Sequence, residues 1–342
     1  MEKIKILLVS VGSLVGKNLL EIINHSRKSF YLTGTNSITD FDSRSNLDEF
    51  HLSPLSKSSK MGGFLESLID EINPDLIVAC RDEEVVVLAR ISEKNQAIRS
   101  KISITNQALA ESFLDKYKSA LLCKELDLPF AKTILLNDGS LNSLKFPVIV
   151  KPREGYASQG VKIIYSKKQL DFICSFKQEY IVQEYLSEDS FLLKSALNFE
   201  NDGFPLHFSF EENKYSIQLS LAENDKDSTF FIGTHFMKNG ISFEVSRNYD
   251  SSLESLARDC SQKFHQIGVR GPLNIQLQRS QEGGFKIFEF NCRFTGATSA
   301  RFLLGYNELD LLLRDKLEKS PFGKPITVFN KARKVIQTIG IK

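Results

Sequence analysis

Phe-Lys-Ile-Phe-Glu-Phe-Asn-Cys-Arg-Phe, at positions 285–294, is the stretch from which the fold can be worked out. A second apolar-rich segment covers residues 273–277, and the dipeptide Gly283-Gly284 lies between the two segments. Two such segments separated by a glycine-containing turn are typical of a β-hairpin. The sequence therefore predicts two antiparallel strands in this part of the chain.

One face of the predicted hairpin is polar. Because side chains alternate between the two faces of a strand, Glu289, Asn291 and Arg293 are expected on the same face, with Gln276 opposite them on the partner strand. Mg²⁺ prefers hard oxygen ligands and is usually held by a few protein groups together with substrate phosphates. Arginine supplies a fixed fork of donors for phosphate. We interpret this face as the floor of a phosphoryl-transfer site, the alternative being the solvated face of a half-buried strand.

The composition argues against several classes of protein. The chain has 342 residues, 42% hydrophobic and 25% charged, which is ordinary for a soluble protein of two or three domains. A net charge of +2 gives no sign of nucleic-acid binding. The five cysteines have no CxxC spacing, which fits a reducing compartment. No stretch has the pattern of a membrane span or a signal peptide, so we expect a cytoplasmic protein without a membrane partner.

The first third of the chain has the pattern of a Rossmann-like α/β domain. A continuous apolar run at residues 4–10 leads through Gly12 and Gly16 into a helical pattern, as in a doubly wound parallel sheet. A nicotinamide site is disfavoured, because the turn reads GxxxG rather than GxGxxG and because Asn36, not an acid, ends the second predicted strand. The sequence therefore favours a scaffold of this type that binds no dinucleotide.

Acidic residues follow a later strand of the same predicted sheet, at residues 76–80. Asp82 and Glu83 lie at the carboxyl end of that strand, where open α/β sheets bind their ligands. The same residues could instead cap the helix predicted over residues 85–91. We favour the helix cap and keep substrate contact as the alternative.

The middle third combines basic residues with a glycine loop. Lys116 lies at the start of a predicted helix, and Lys151 lies at the tip of a predicted strand, residues 146–152. The loop at residues 153–160 follows and leads into another strand. Glycines let a backbone approach a ligand closely, and backbone amides can bind an anion. The pattern predicts a loop that covers phosphates, although an ordinary hairpin loop would look similar.

The order of these motifs resembles that of the ATP-grasp superfamily, and within it the carbamoyl-phosphate-synthetase-like branch. The motifs are Asp-Lys at 115–116, Pro-Val-Ile-Val-Lys-Pro at 147–152, Val-Gln-Glu-Tyr-Leu at 182–186, Asn-Ile-Gln at 274–276 and Glu-Phe-Asn-Cys-Arg at 289–293. The resemblance covers roughly residues 4–316. It implies an α/β, Rossmann-like pre-ATP-grasp domain (1–112), followed by an α+β ATP-grasp fold of two subdomains. These are a lid (113–185) and a large subdomain with the metal and phosphate site (186–342).

The resemblance also implies roles for single residues. Lys116 and Lys151 would bind the ATP phosphates, and Arg293 would steady the transferred phosphoryl group, so Lys151 and Arg293 are the catalytic candidates. The implied nucleotide contacts of the loop and hinge are Gly155, Ser158, Gly160, Gln183, Glu184, Leu186 and Ser190. The implied ligands of Mg²⁺, or alternatively Mn²⁺, are Gln276, Glu289 and Asn291. Ser190 stands where the family usually has a ribose-binding Glu, so that Glu188 or Asp189 could replace it.

The implied activity is an ATP-dependent ligation. A carboxylate would be converted to an acyl phosphate, which an amine would capture with release of ADP and phosphate. The alternative is a nucleotide-binding protein of the same fold without turnover, suggested by Ser190 and by Asn-Cys-Arg at 291–293, where the family has Asn-Pro-Arg. The expected partners are a small-molecule carboxylate and an amine, and a homodimer is the default for a soluble oligomer.

Overall fold

Three β-sheets organise the protein. The computed structural model describes residues 2–136, 144–155, 159–174, 179–187, 213–238, 241–323 and 328–335. In these ranges, the amino-terminal part of the chain forms one four-stranded sheet, the middle part forms another, and strands between residues 214 and 333 form a six-stranded sheet. No helix within these described ranges is both long enough and apolar enough to cross a membrane.

The first sheet is parallel, as the apolar runs predict. Its strands are β1 (Ile4–Val9), β2 (Phe30–Asn36), β3 (Glu49–Leu52) and β4 (Leu76–Ala79), in the order β3-β2-β1-β4. Its helices are α1 (Leu14–Asn24), α2 (Met61–Ile72) and α3 (Asp82–Lys94), with 3-10 turns at Arg27–Ser29 and Arg44–Asn46. Leu8 packs in one buried cluster with α1, and Leu7 packs in another with α2 and α3. The strands are therefore covered on both faces, which explains why they are apolar at consecutive positions.

The second sheet follows three helices, α4 (Gln96–Arg99), α5 (Gln107–Leu114) and α6 (Lys116–Glu125). Its strands are β5 (Thr133–Leu135), β6 (Val148–Pro152), β7 (Lys162–Ile164) and β8 (Tyr180–Glu184), paired antiparallel in the order β5-β8-β6-β7. Helix α7 (Lys167–Cys174) joins β7 to β8 along the chain. Val150, Leu170 and Val182 belong to a small core confined to this part of the protein.

The third sheet is antiparallel and has the order β13-β12-β9-β10-β11-β14. Its strands are β9 (Lys214–Leu221), β10 (Thr229–Lys238), β11 (Ile241–Arg247), β12 (Gly271–Arg279), β13 (Phe285–Asn291) and β14 (Lys331–Arg333). The associated helices are α8 (Ser251–Gln266), α9 (Thr298–Leu303) and α10 (Glu308–Leu317), with a 3-10 turn at Asp225–Asp227. Strands β12 and β13 form the predicted hairpin, and both turn glycines have positive φ angles (Gly283 +86°, Gly284 +77°).

The first and third sheets share their buried cores. Leu7 of β1 belongs to the same cluster as Ile217 of β9 and Leu273 of β12. Phe294, directly after β13, packs with α1 and the other face of β1. These contacts hold the carboxyl ends of the first-sheet strands beside the β12–β13 hairpin. The predicted boundary between residues 112 and 113 falls inside α5, and the division at 1–112, 113–185 and 186–342 stays a prediction.

Candidate active site

A cavity of about 820 Å³ is lined by residues from the regions of all three sheets. The first sheet contributes the segments that follow β1 and β4, and the second sheet contributes residues of β6 and β8. The third sheet contributes both strands of the predicted hairpin. The cavity therefore joins the three parts of the chain in which the sequence predicts site residues.

The predicted polar face of the hairpin forms one wall of this cavity. Gln276 lies directly opposite Glu289, and Asn274 lies opposite Asn291 in the strand register. All four residues line the cavity. Asn274 was not predicted, although it lies two residues before Gln276 and so belongs to the same strand face. Its Nδ2 donates a hydrogen bond to Gln218 Oε1 (3.1 Å), which leaves its own amide oxygen for other partners.

A β-bulge alters this face in a way the alternation pattern does not predict. Gln276 pairs with Glu289 but Leu277 pairs with Ile287, so that Phe288 is the extra residue on β13. A bulge re-aims side chains at the point where it interrupts the ladder. Phe288 accordingly lines the cavity together with its neighbour Glu289, and it contributes an aromatic surface beside the polar groups.

The donor set on this wall fits a divalent ion that shares its coordination with phosphates. Glu289 supplies a carboxylate, and Gln276 and Asn291 supply amide oxygens. Within the described ranges, no group of three or more His, Cys, Asp or Glu side chains could hold a metal ion. A set with a single formal charge suits Mg²⁺ only when another molecule adds oxygens, which is how Mg²⁺ is commonly bound with nucleotides.

Lysine side chains lie next to this wall. Lys116 Nζ is 3.9 Å from Glu289 Oε1 and donates a hydrogen bond to the Gly155 carbonyl (3.2 Å). Lys151 Nζ donates to the Phe288 carbonyl (3.3 Å) and lies over the Phe288 ring, and Lys214 Nζ of β9 also lies over that ring. Lys214 was not predicted, because no sequence motif marks it. The structure thus brings three ammonium groups to the side of the cavity where phosphates were expected.

The environment of Lys151 disfavours its positive charge. The side chain is 5% exposed, and burial lowers the pKa of its ammonium group to about 7. Glu289 opposes this effect, whereas Lys116 and Lys214 add to it by repulsion. A bound polyanion would favour the charged form of Lys151 and would compensate the repulsion among the three lysines.

The glycine loop after Lys151 is described at its two ends. Gly155 and Gly160 have φ angles of +149° and +73°, which fall in the region that favours glycine. A Cβ on Gly160 would lie 2.8 Å from the Tyr180 hydroxyl, so a larger residue does not fit there. Ser158 and the rest of 156–158 lie outside the described residues, so its predicted phosphate contact stays a prediction.

Side chains of the predicted hinge strand form hydrogen bonds to neighbouring strands. Gln183 Nε2 donates to Thr133 Oγ1 (2.8 Å), and Glu184 accepts two hydrogen bonds from Lys286 Nζ (both 2.9 Å). The Glu184 amide donates to the Lys132 carbonyl (2.9 Å) and is therefore already used. Gln183, Glu184 and Leu186 all line the cavity, so nucleotide contact at this edge stays a prediction. Ser190, Glu188 and Asp189 lie outside the described residues.

Arg293 forms an ion pair with Asp82 that the sequence did not predict. Its Nη2 and Nε donate to Asp82 Oδ2 (2.6 and 3.0 Å), and Nη2 also donates to Asn291 Oδ1 (3.1 Å). Asp82 lies in the first turn of α3, but its carboxylate is directed to Arg293. The preference for a helix cap at Asp82 was therefore wrong, because local sequence does not show which distant cation comes within reach.

A buried histidine also lines the cavity. His235 Nε2 is 2.7 Å from Ser216 Oγ, and its Nδ1 is 2.6 Å from Ser242 Oγ, so both ring nitrogens have partners. Burial, with a smaller contribution from nearby cations, lowers the pKa of His235 to about 3. The imidazole is therefore neutral at physiological pH and links β9, β10 and β11 by hydrogen bonds.

Cys292 and the other described thiols offer no reactive group here. Cys292 is buried, and burial raises its pKa to about 12. A thiol with a raised pKa is a poor nucleophile, because the thiolate is the reactive form.

Comparisons with known proteins point to a single fold. No family model matches the chain. D-alanine–D-alanine ligase A from Bacillus cereus is 36% identical over 58 residues, which are 16% of this chain and 19% of that ligase. The chain thus matches only about a fifth of the length of this curated relative.

Solved structures resemble nearly the whole chain. N5-carboxyaminoimidazole synthetase from Staphylococcus aureus, complexed with ADP, has a TM-score of 0.69 at 16% identity, covering 92% of this chain and 78% of that one. L-amino acid ligase from Bacillus licheniformis has a TM-score of 0.65 at 14% identity, covering 93% and 75%. The biotin carboxylase domain of 2-oxoglutarate carboxylase from Hydrogenobacter thermophilus has a TM-score of 0.68 at 12% identity, covering 93% and 71%. The predicted resemblance is therefore confirmed at the level of architecture, and the chain has the fold of the ATP-grasp superfamily.

Proposed function

We propose that this protein is an ATP-dependent carboxylate–amine ligase. The observation that carries the proposal is the placement of Lys116 and Lys151 against the wall formed by Gln276, Glu289 and Asn291. Cationic groups beside metal-compatible oxygens in one cavity suit a nucleoside triphosphate, whose phosphates can contact both. The names of the structural relatives, which include an L-amino acid ligase and a synthetase complexed with ADP, support the same reaction class.

The chain's own residues would act mainly by positioning and charge. Lys116 and Lys151 would hold the phosphates of ATP, and Arg293, itself oriented by Asp82, would steady the transferred phosphoryl group. Mg²⁺ held by Gln276, Glu289 and Asn291 would neutralise charge that develops on the phosphate oxygens. These side chains supply no nucleophile, since the substrate carboxylate itself attacks.

The reaction would proceed in two displacements. A carboxylate oxygen of the substrate forms a bond to the γ-phosphorus while the bond to the β-phosphate oxygen breaks and ADP leaves. The amine nitrogen then attacks the acyl carbon, phosphate leaves with the bonding electron pair, and the nitrogen loses a proton. We further propose that residues 113–185, which contain the second sheet, act as a lid that excludes water from the acyl phosphate.

A nucleotide-binding protein without turnover is the second candidate. The guanidinium of Arg293 is already engaged by Asp82, Asn291 and the Phe294 carbonyl, which favours a structural role for a residue expected to contact phosphate.

A homodimer is a further proposal, supported by the biotin carboxylase relative, which was solved as a dimer.

One experiment separates these candidates. Purified protein is incubated with ATP, Mg²⁺ and a panel of carboxylates and amines, and ADP release is measured with ADP affinity determined in parallel by calorimetry. A ligase releases ADP only when a suitable acid is present, and the Glu289→Gln variant loses that release. ADP binding without release by any pair would favour the second candidate. Absence of ADP binding would reject both.

A further inference from the structure

The end of the cavity next to the first sheet contains two basic side chains that the proposed ATP site does not use. Arg81 precedes α3, and its Nε is buried with no hydrogen-bond partner among the described residues. Lys334 follows β14, and its Nζ donates to the Gly296 carbonyl. Both residues line the cavity, and within the described parts of the chain neither has a carboxylate at ion-pair distance.

Contacts along the chain place these two residues on one continuous wall. Gly296 packs against Leu14, since a Cβ on Gly296 would lie 2.5 Å from Leu14 Cδ2. Ser13, the neighbour of Leu14, donates its hydroxyl to the Cys80 carbonyl (3.3 Å), and Cys80 directly precedes Arg81. The wall therefore runs from Lys334 through Gly296 and the beginning of α1 to Arg81.

Among the described residues, Arg81 and Lys334 are the bases at this end without an ion-pair partner. Arg293 is paired with Asp82, and Glu83 also lines this part of the cavity. Glu84 interacts electrostatically with Arg81, and Glu21 with Lys334, but neither carboxylate is at ion-pair distance. Burying a cation without a partner is unfavourable, and burial lowers the pKa of Lys334 accordingly. The amino terminus of α1, at Ser13, adds a partial positive charge. Within the described residues, neither basic group thus has a carboxylate directly against it, and a bound anion would supply one.

We propose that Arg81 and Lys334 form an anion subsite for a second anionic group, a carboxylate or a phosphate, on the substrate that is ligated. The reacting carboxylate has to lie beside the ATP phosphates and the hairpin wall, so it does not occupy this end of the cavity. The substrate class is therefore a small acid with two anionic groups, such as a dicarboxylate or a phosphorylated acid. This inference rests on the proposed ligase function.

The test measures binding of defined anions without nucleotide. Thermal unfolding and calorimetry are carried out with succinate, 3-phosphoglycerate and the monoanion propionate, using the full chain and the variants Arg81→Gln and Lys334→Met. The control is Lys167→Met, which removes the same charge from a side chain that is 59% exposed on α7. ADP·Mg²⁺ affinity is measured for every variant.

We expect an acid with two anionic groups to bind the unmodified protein more tightly than propionate does, and each subsite variant to weaken that binding about tenfold, the typical loss for one charge-assisted contact. The affinity of Lys167→Met for these acids, and the ADP·Mg²⁺ affinity of every variant, should be unchanged. The preference for succinate or for 3-phosphoglycerate then identifies the anionic group. Equal binding in all variants, or no preference for either acid over propionate, would overturn the subsite. If the unmodified protein does not bind ADP·Mg²⁺, the ligase proposal is overturned. The anion-binding data would then still decide whether the subsite exists.

Discussion

Arg293 and Asp82 form an ion pair (Nη2 to Oδ2, 2.6 Å) that connects the end of the β12–β13 hairpin to the first turn of α3. The two residues are 211 positions apart in sequence. Burial raises the pKa of Asp82 against the opposing effect of Arg293, while Arg293 stays charged because a guanidinium keeps its proton in proteins. The pair therefore couples the candidate phosphoryl-transfer wall to the carboxyl ends of the first-sheet strands.

Asp82→Asn should destabilise the protein by about 3 kcal/mol, because it leaves the little-exposed guanidinium of Arg293 without its ion-pair partner. Urea unfolding measures the loss. Glu83→Gln is the matched control, since Glu83 is adjacent and makes no ion pair in the described residues. If both variants unfold at the same urea concentration, the pair does not contribute as the geometry indicates.

Lys151→Met should weaken nucleotide binding by roughly 10- to 150-fold, which corresponds to the loss of about 1.5–3 kcal/mol from a hydrogen bond to a charged group. Methionine keeps most of the side-chain volume, so the fold should persist. Calorimetric titration with ADP and Mg²⁺ provides the measurement. Lys167→Met serves as control because Lys167 is 59% exposed on α7. Unchanged affinity for Lys151→Met would remove Lys151 from the phosphate site.

Nucleotide binding should take up a proton above pH 7. Burial lowers the pKa of Lys151 to about 7 in the free protein, so the amine is increasingly neutral as the pH rises beyond that value. Bound phosphates favour the ammonium form and raise this pKa. ADP affinity should therefore be constant below pH 7 and should fall with rising pH above it, by up to about tenfold per pH unit.

The proton uptake can be measured directly. Calorimetry at pH 8 in buffers of different ionisation enthalpy should report an uptake approaching one proton, and Lys151→Met should lose it. A binding enthalpy that does not depend on the buffer would show that Lys151 is already charged in the free protein.

Glu289→Gln should leave the stability nearly unchanged and lower ADP release at least about a hundredfold, because metal charge acts chiefly on the transferred phosphoryl group. The substitution keeps the size of the side chain and removes only the charge next to Lys116. Binding of Mn²⁺ should be weak without nucleotide and tighter with ADP. Glu289→Gln should reduce the affinity for Mn²⁺ that is measured in the presence of ADP. Glu254→Gln, at a half-exposed pair on α8, is the control. Full ADP release by Glu289→Gln would end the metal assignment.

The sequence by itself determined the local elements around the site. Period-two alternation and the Gly283-Gly284 turn were sufficient for the β12–β13 hairpin and for the common face of Gln276 and Glu289, since both follow from backbone geometry within 20 residues or so. The apolar runs of β1 and β4 were likewise sufficient for a sheet that is buried on both faces. Lys116 and Lys151 could be placed because each stands at a fixed point of such an element.

Only the tertiary structure decided which elements face one another. The pairing of Asp82 with Arg293, the approach of Lys214 to Phe288, and the shared wall of Arg81 and Lys334 all join segments that are far apart in sequence. No local pattern marks such contacts, because they arise when Leu7 and Leu273 enter one buried cluster and bring the first and third sheets together. The bulge at Phe288 belongs to the same category, since the strand register is set by packing of the whole sheet and not by the ten residues that contain it.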